Sequence, residues 1–178
     1  MREGLIISAV GQDRPGIVDR ISGAIYELGF NLEDSRMAIL GGEFALVALV
    51  AGPPDRLSEV RQVVGRLCQE LELLAQFKAT RVGPPGPEAS GGISCRLTAV
   101  AMDHPGIVHK ITHLLAQEGV NVAALETRVT HAPDSGTPIF ALELEVQVPA
   151  GLPLARLRQA LEELSEAENL DLELHVIS

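Results

Sequence analysis

The sequence reads Asp13-Arg14-Pro15-Gly16-Ile17-Val18, and ninety positions later it reads Asp103-His104-Pro105-Gly106-Ile107-Val108. The likeness is wider than these six residues, because Leu5–Leu32 aligns with Cys95–Val122 without a gap and 10 of the 28 aligned positions are identical. An internal repeat of this length predicts two copies of one small module.

A stretch rich in glycine and proline separates the two copies. It reads Gly-Pro-Pro-Gly-Pro-Glu-Ala-Ser-Gly-Gly over residues 83–92. This composition favours neither a helix nor a strand and is typical of a linker. We therefore predict a first module over residues 1–82, a linker over 83–92 and a second module over 93–178.

Each copy begins with the same pair of predicted elements. A short apolar strand, Leu5–Val10 or Cys95–Ala101, leads into a helix whose apolar residues recur on one face. Gly29 and Gly119 then stand where a left-handed helix cap is expected, and a second strand follows each of them.

The rest of each copy predicts a hairpin, a second helix and a last strand. The hairpin turns at Gly41-Gly42 in the first copy and through the longer His131–Pro138 in the second, and the last strands run near Leu73–Val82 and Leu170–Ile177. The order βαββαβ with right-handed crossovers predicts an α+β fold. We expect two ferredoxin-like modules, each a four-stranded antiparallel sheet with two helices on one face.

Composition and charge narrow the functional classes. The chain has 24 acidic and 14 basic residues and a net charge of −10, which opposes direct binding to nucleic acid or to an anionic membrane. Cys68 and Cys95 form no metal-ligand spacing and are interpreted as free thiols in a reducing compartment. The longest apolar run, Phe44–Ala51, is too short to span a bilayer, and no signal pattern follows Met1. These features predict a soluble, cytoplasmic protein.

The repeated turn is the candidate site that the residues themselves indicate. Pro15 and Pro105 are expected at the first helical position, where the missing N–H of proline does no harm. Asp13 and Asp103 can cap free N–H groups of the helix or interact favourably with its positive end. Gly lacks a side chain, so a small ligand could approach the turn closely, and free amides at a helix start suit a carboxylate.

In both copies an asparagine follows this turn at the same distance along the chain. Asn31 and Asn121 begin the second strand, and their amides offer the donor and acceptor that an amino acid needs. A helix start of this kind is also common without any ligand, so the residues alone leave a binding role and a purely structural role open.

The pattern Asp-x-Pro-Gly-Ile-Val, a helix and then Gly-x-Asn, in βαββαβ order, resembles the ACT domain in both copies. Two such domains and nothing else resemble the group of glycine cleavage system transcriptional repressors, as does the stretch Ser135–Phe140. The resemblance implies a non-enzymatic sensor of a small amino acid (glycine or serine-like), often a homodimer, whose ligand lies between the turn of one module and a strand of its neighbour. The implied contact residues are Asp13, Arg14, Pro15, Gly16, Ile17 and Asn31, and Asp103, His104, Pro105, Gly106, Ile107 and Asn121.

The two candidate sites are not identical. Arg14 carries a permanent charge, whereas His104 in the second copy is titratable, and only the second copy has the long hairpin loop. The two sites therefore need not bind equally or bind the same ligand.

The sequence also bears on metal binding, catalysis and protein interaction as other functions. His109 and His113 have the i, i+4 spacing of a helical metal-ligand pair, but they lie off the apolar face and the sequence places no third ligand, so we predict no metal and no cofactor. No nucleophile or phosphate-loop motif predicts an enzyme. The alternatives are a protein-interaction scaffold without a ligand, or a detached regulatory subunit of an amino-acid or one-carbon metabolic enzyme. A role in transcription requires a DNA-binding protein partner, since the chain has no basic stripe.

Overall fold

A computed structural model describes residues 2–83 and 92–177 of the chain. It divides the chain into two compact units, Met1–Pro84 and Pro85–Ser178. The predicted linker over 83–92 lies, except for its two end residues, outside the described residues.

The first unit contains four strands and two α-helices in the predicted βαββαβ order. They are β1 (Arg2–Gln12), α1 (Ile17–Glu27), β2 (Asn31–Leu40), β3 (Glu43–Ala51), α2 (Leu57–Glu70) and β4 (Leu74–Val82), with a short 3₁₀ turn over Pro54–Arg56 before α2. The first strand is longer than predicted, because β1 pairs with β3 and β4 along nearly its whole length and the ladder extends beyond the apolar residues.

The second unit repeats this order. Its elements are β5 (Ile93–Met102), α3 (Ile107–Gln117), β6 (Asn121–His131), β7 (Pro138–Val148), α4 (Leu154–Glu168) and β8 (Asp171–Val176).

The two sheets have the same topology. Their strand orders are β2-β3-β1-β4 and β6-β7-β5-β8, and every neighbouring pair is antiparallel. The second strand of each unit carries an irregularity at the same place, between Leu32 and Asp34 and between Val122 and Ala124. The predicted α+β, ferredoxin-like fold is confirmed, and the strands β2 and β6 lie at sheet edges.

Each unit has its own hydrophobic core on the helix-covered face of its sheet. Alternate strand residues such as Ile7 and Val50 pack there with α1 residues such as Ile21, and Leu97, Leu144 and Ile111 do so in the second unit. Within the described residues, no polar or charged side chain is buried. Since aromatic residues make up only 3% of the chain, aliphatic side chains supply most of this packing.

Candidate functional site

The turn before α1 is fixed by a left-handed glycine. Gly16 precedes the helix with φ 90° and ψ −3°, and Gly106 before α3 has φ 99° and ψ −6°. The helices begin only at Ile17 and Ile107. The prediction that Pro15 and Pro105 are first helical residues is therefore wrong: each proline lies one residue before the left-handed glycine, and that glycine bends the chain into the helix.

The aspartate of each turn acts through its backbone. The Asp13 N–H donates to the carbonyl of Gly42 at 3.1 Å, and the Asp103 N–H donates to the carbonyl of Pro138 at 3.0 Å. Neither helix has a side-chain hydrogen bond at its N-cap, so the predicted capping by the Asp carboxylates is also wrong. The hydrogen bonds instead tie each turn to the hairpin that connects the second and third strands of its unit.

The residue after each aspartate differs in its surroundings. Arg14 pairs with Glu72, which lies two residues after the end of α2 and has a positive φ of 58°. In the second unit the corresponding left-handed residue is the uncharged Asn169, φ 53°. The His104 ring nitrogen Nδ1 lies 3.2 Å from the carbonyl of its own neighbour Pro105. The first turn thus holds its cation in an ion pair, and the second has no matching carboxylate at that position.

The asparagine of each unit lies far from the turn of the same unit. Asn31 begins β2 and pairs with Ala51 at the end of β3, whereas the turn is tied to Gly42 at the other end of these strands. Because β2 has 10 residues, the two ends lie about 30 Å apart at about 3.3 Å per residue. Asn121 is related to the second turn in the same way. One small molecule therefore cannot contact the turn and the asparagine of a single module.

The other predicted site residues divide by exposure. The turn residues Asp13, Arg14, Pro15 and Gly16 are exposed, and a side chain built on Gly16 would meet nothing within 4 Å. Of the second turn only His104 is half-buried.

The side chains of Ile17 and Ile107 are 2% exposed and belong to the two cores. Any ligand contact at these two positions would involve the backbone N–H and not the side chain.

Sequence reasoning missed Glu72, the partner of Arg14. The residue lies 58 positions away in the chain, beyond the gapless part of the repeat, and a lone glutamate before a strand carries no signal in the sequence. It also missed a groove of about 630 Å³ between α1 and α2, which Gly23, Ala24, Val63 and Leu67 line together with charged residues. Gly23 and Ala24 leave this groove open because their side chains are small.

The structure also places the histidines and the two thiols of the described part of the chain. No group of three or more His, Cys, Asp or Glu residues there is arranged to hold a metal ion. His109 and His113 lie side by side, with ring centroids 5.6 Å apart. Burial raises the pKa of the Cys68 thiol and also that of Cys95, where the positive charge of Arg158 partly opposes the effect. None of the described helices has the length and hydropathy of a bilayer span.

Comparison with known proteins covers both units. Residues 3–78 match an ACT domain, and residues 96–166 match a second ACT domain. The chain is 29% identical over 174 residues to the glycine cleavage system transcriptional repressor of Escherichia coli, which covers 98% of this chain and 90% of that protein.

Two solved structures resemble the whole chain. A protein of unknown function from Galdieria sulphuraria has a TM-score of 0.81 and 28% identity, with complete coverage of both chains. A protein provisionally described as a glycine cleavage system transcriptional repressor has a TM-score of 0.74 and 26% identity and covers 100% of this chain and 99% of its own.

Proposed function

Because this chain belongs to the ACT-domain family, as a tandem pair similar to a glycine cleavage system transcriptional repressor, we propose that it senses a small amino acid, glycine or one like serine, and regulates without catalysis. The observation that carries the proposal is the repeated turn, which keeps an exposed left-handed glycine before a helix in both units. We propose as ligand contacts the turn residues 13–17 with Asn31, and 103–107 with Asn121. Of these, Ile17 and Ile107 would contribute only their backbone N–H groups, because their side chains are buried.

The chemistry of the turn fits the carboxylate of an amino acid. The first N–H groups of a helix have no partner within the helix, and the helix dipole favours a negative charge beside them. The open space above Gly16 lets a ligand reach this backbone. The side-chain oxygen of an asparagine accepts a hydrogen bond from an ammonium group, and its NH₂ donates to a carboxylate.

The separation of turn and asparagine favours a site that needs two copies of the module. Antiparallel pairing of two β2 edges places the start of one strand beside the end of the other. The Asn31 of one copy then comes near the turn of the other, although the two are about 30 Å apart within a copy. A ligand held in this way stabilises one assembly over another, which is how binding can produce regulation. We propose a homodimer as the assembly that does this.

The two sites are proposed to be unequal. A ligand carboxylate at the first turn competes with Glu72 for Arg14, whereas at the second turn it meets His104 with no such competitor. The first site should therefore bind the carboxylate more weakly than its permanent cation alone implies.

The regulated partner is proposed to be a protein. The net charge of −10 opposes direct binding to nucleic acid, so a role in transcription would act through a DNA-binding protein as intermediary. A metabolic enzyme is the other candidate partner. We propose the cytoplasm as the location for either role. The partner can be identified by what co-purifies with the chain as the amino acid is added or withheld.

Thermal denaturation of the full chain with each of the twenty amino acids at millimolar concentration tests the sensor. A ligand at about one hundred times its Kd stabilises the folded state by about 2.7 kcal/mol, so the melting temperature rises by several degrees. We expect the rise with glycine or serine, and we expect Asn31→Ala together with Asn121→Ala to abolish it without lowering the melting temperature of the free protein.

The matched control is Gln62→Ala, which removes an exposed amide from α2 and should leave the shift intact. No shift with any amino acid contradicts the sensor function. A rise in melting temperature that persists in the double asparagine variant would mean that the ligand binds at another site.

A further inference from the structure

The two units differ on the face of the sheet that the helices leave open. In the second unit this face is charged: Arg96 on β5 lies 2.9 Å from the carboxylate of Glu143 and 3.8 Å from that of Glu145, both on the neighbouring strand β7. Glu126 lies opposite Glu143, and apolar residues gather only at one end, around Val100. An ion-paired face of this kind is suited to water.

The same positions in the first unit are apolar. Arg96 corresponds to Ile6, because Arg96 pairs with Glu145 in one register and Ile6 pairs with Leu49 in the other. By the same alignment Glu143 corresponds to Val47, the partner of Ser8. Three charged residues of the second unit are thus replaced by three aliphatic residues in the first.

These residues lie on one face of the sheet, here named the apolar face. Besides Ile6 and Leu49 it contains Val10 (45% exposed), Val47 (52%), Leu40 (69%) and Leu74 (82%). The register joins those on β1, β3 and β4, since Val10 pairs with Leu74 and Ile6 with Leu49, and Leu40 on β2 lies beside Glu43. Exposed apolar side chains gathered on one face of a sheet indicate an interaction site.

We propose that a second copy of this chain covers the apolar face, in a two-fold symmetric dimer that packs the open sheets of two first units against each other. Face-to-face packing of two sheets about 10 Å apart is a common arrangement, and a two-fold axis lets the same patch serve both partners. This dimer uses the open face and leaves the β2 edges free, so it needs no amino acid and is independent of the edge-paired dimer proposed for sensing. Where both interfaces form, the chain assembles beyond a dimer.

The area of the face is sufficient for such a dimer. The four strands have 9–11 residues each. At about 3.3 Å per residue and about 4.8 Å between strands, nine residues on four strands cover about 570 Å². Two such faces bury about 1,100 Å² in total, above the roughly 1,000 Å² that a specific interface requires.

The charges on the face favour another copy over a strongly charged partner. Among its described side chains the acidic ones are Asp34 and Glu43 and the basic ones are Arg36 and Lys78, so they balance. Arg36 and Asp34 also pair with each other at 2.6 Å. A partner of high net charge gains nothing here, whereas an identical neutral, apolar face matches it.

The repeat supplies the variant that tests the proposal. Ile6→Arg, Val47→Glu and Leu49→Glu together give the first unit the ion-paired trio that the second unit carries at the same register, so the sheet should still form. The matched control is Met37→Glu, which adds a charge at a side chain of similar exposure (50%) on the other side of the same sheet.

Sedimentation equilibrium of the full chain without added amino acid measures the dimer. We expect the wild type to form a dimer, the triple variant to dimerise at least roughly 100-fold more weakly, since several charges per protomer would lose water in the interface, and Met37→Glu to dimerise like the wild type. Circular dichroism should show the same secondary structure in all three. A monomeric wild type, an unaffected triple variant, or an equal loss in Met37→Glu would each overturn the proposal.

Discussion

Gly16 and Gly106 are the residues whose backbone conformation sets the two turns. At Gly16 the space is open but the φ is 90°, so any other residue is strained by its backbone and not by a neighbour. We expect Gly16→Ala to lower the free energy of unfolding of the first unit by about 1–2 kcal/mol.

The control variant should change the free energy of unfolding in the opposite direction. Gly23 lies inside α1 with nothing within 4 Å of an added Cβ, so Gly23→Ala should stabilise by about 0.5–1 kcal/mol. Urea unfolding of the full chain measures both variants. Destabilisation by both, or by neither, would contradict this account of the turn.

Sequence reasoning at this scale identified the repeated turn but not its conformation. The repeat identified the Asp-x-Pro-Gly turn, yet a proline before a helix predicts the first helical position, and only the left-handed glycine shows that Pro15 lies outside the helix. Likewise Asp13 is an ordinary capping residue by type, but its N–H donates to Gly42, a long-range contact that local rules do not contain.

The ion pair of Arg14 and Glu72 joins the first turn to the end of α2. Both side chains are substantially exposed, 42% and 73%, so the pair should contribute only about 0.2–1 kcal/mol. The positive φ of 58° at Glu72 also destabilises the folded state, since a residue with a side chain rarely adopts it. We therefore expect Glu72→Gly to stabilise by about 1 kcal/mol when Arg14 is already alanine, and by less when Arg14 is present.

A double-mutant cycle over Arg14→Ala and Glu72→Gly, read by urea unfolding, gives the coupling directly. Asn169→Gly is the comparison in the second unit, where asparagine tolerates the left-handed conformation and no ion pair is lost. An equal gain from Glu72→Gly with and without Arg14 would mean that the pair contributes nothing.

Elements were more predictable than residues, because periodicity reports which face is buried. The helices α1 and α3 bury most of the predicted apolar positions, among them Ile21 and Ile111, but Val18 is 46% exposed and does not belong to the buried face. The first hairpin turns at Gly41 and Gly42, both with positive φ. Strand ends were not predictable in the same way. β1 extends to Gln12 because its neighbours continue to supply hydrogen bonds, whatever its own hydropathy.

The apolar face belongs to the same scale, and the sequence repeat alone reveals only part of it. Sliding one copy over the other compares Ile6 with Arg96 directly, but Val47 and Leu49 match Glu143 and Glu145 only through the register, since the hairpins differ in length. A sequence comparison without strand pairing therefore hides the loss of all three charges together.

At the scale of the whole chain, two separate cores predict that each unit has its own stability. Ile21 and Ile111 occupy equivalent positions, are each at most 1% exposed, and belong to different cores. Truncating a buried isoleucine to alanine costs about 2–5 kcal/mol. Ile21→Ala should therefore destabilise only the first unit, and Ile111→Ala only the second.

The two cysteines allow the opening of each unit to be measured separately, because Cys68 lies in the first core and Cys95 in the second. Burial hides both thiols and raises the pKa of each, so the reactive thiolate is scarce until a unit opens. Labelling with iodoacetamide, followed by peptide mass spectrometry, then measures two openings in one sample. At about 1.4 kcal/mol per tenfold, Ile21→Ala should speed labelling of Cys68 by roughly 30-fold or more and leave Cys95 unchanged. Ile111→Ala should do the reverse, and equal acceleration of both thiols by either variant would show that the units open together.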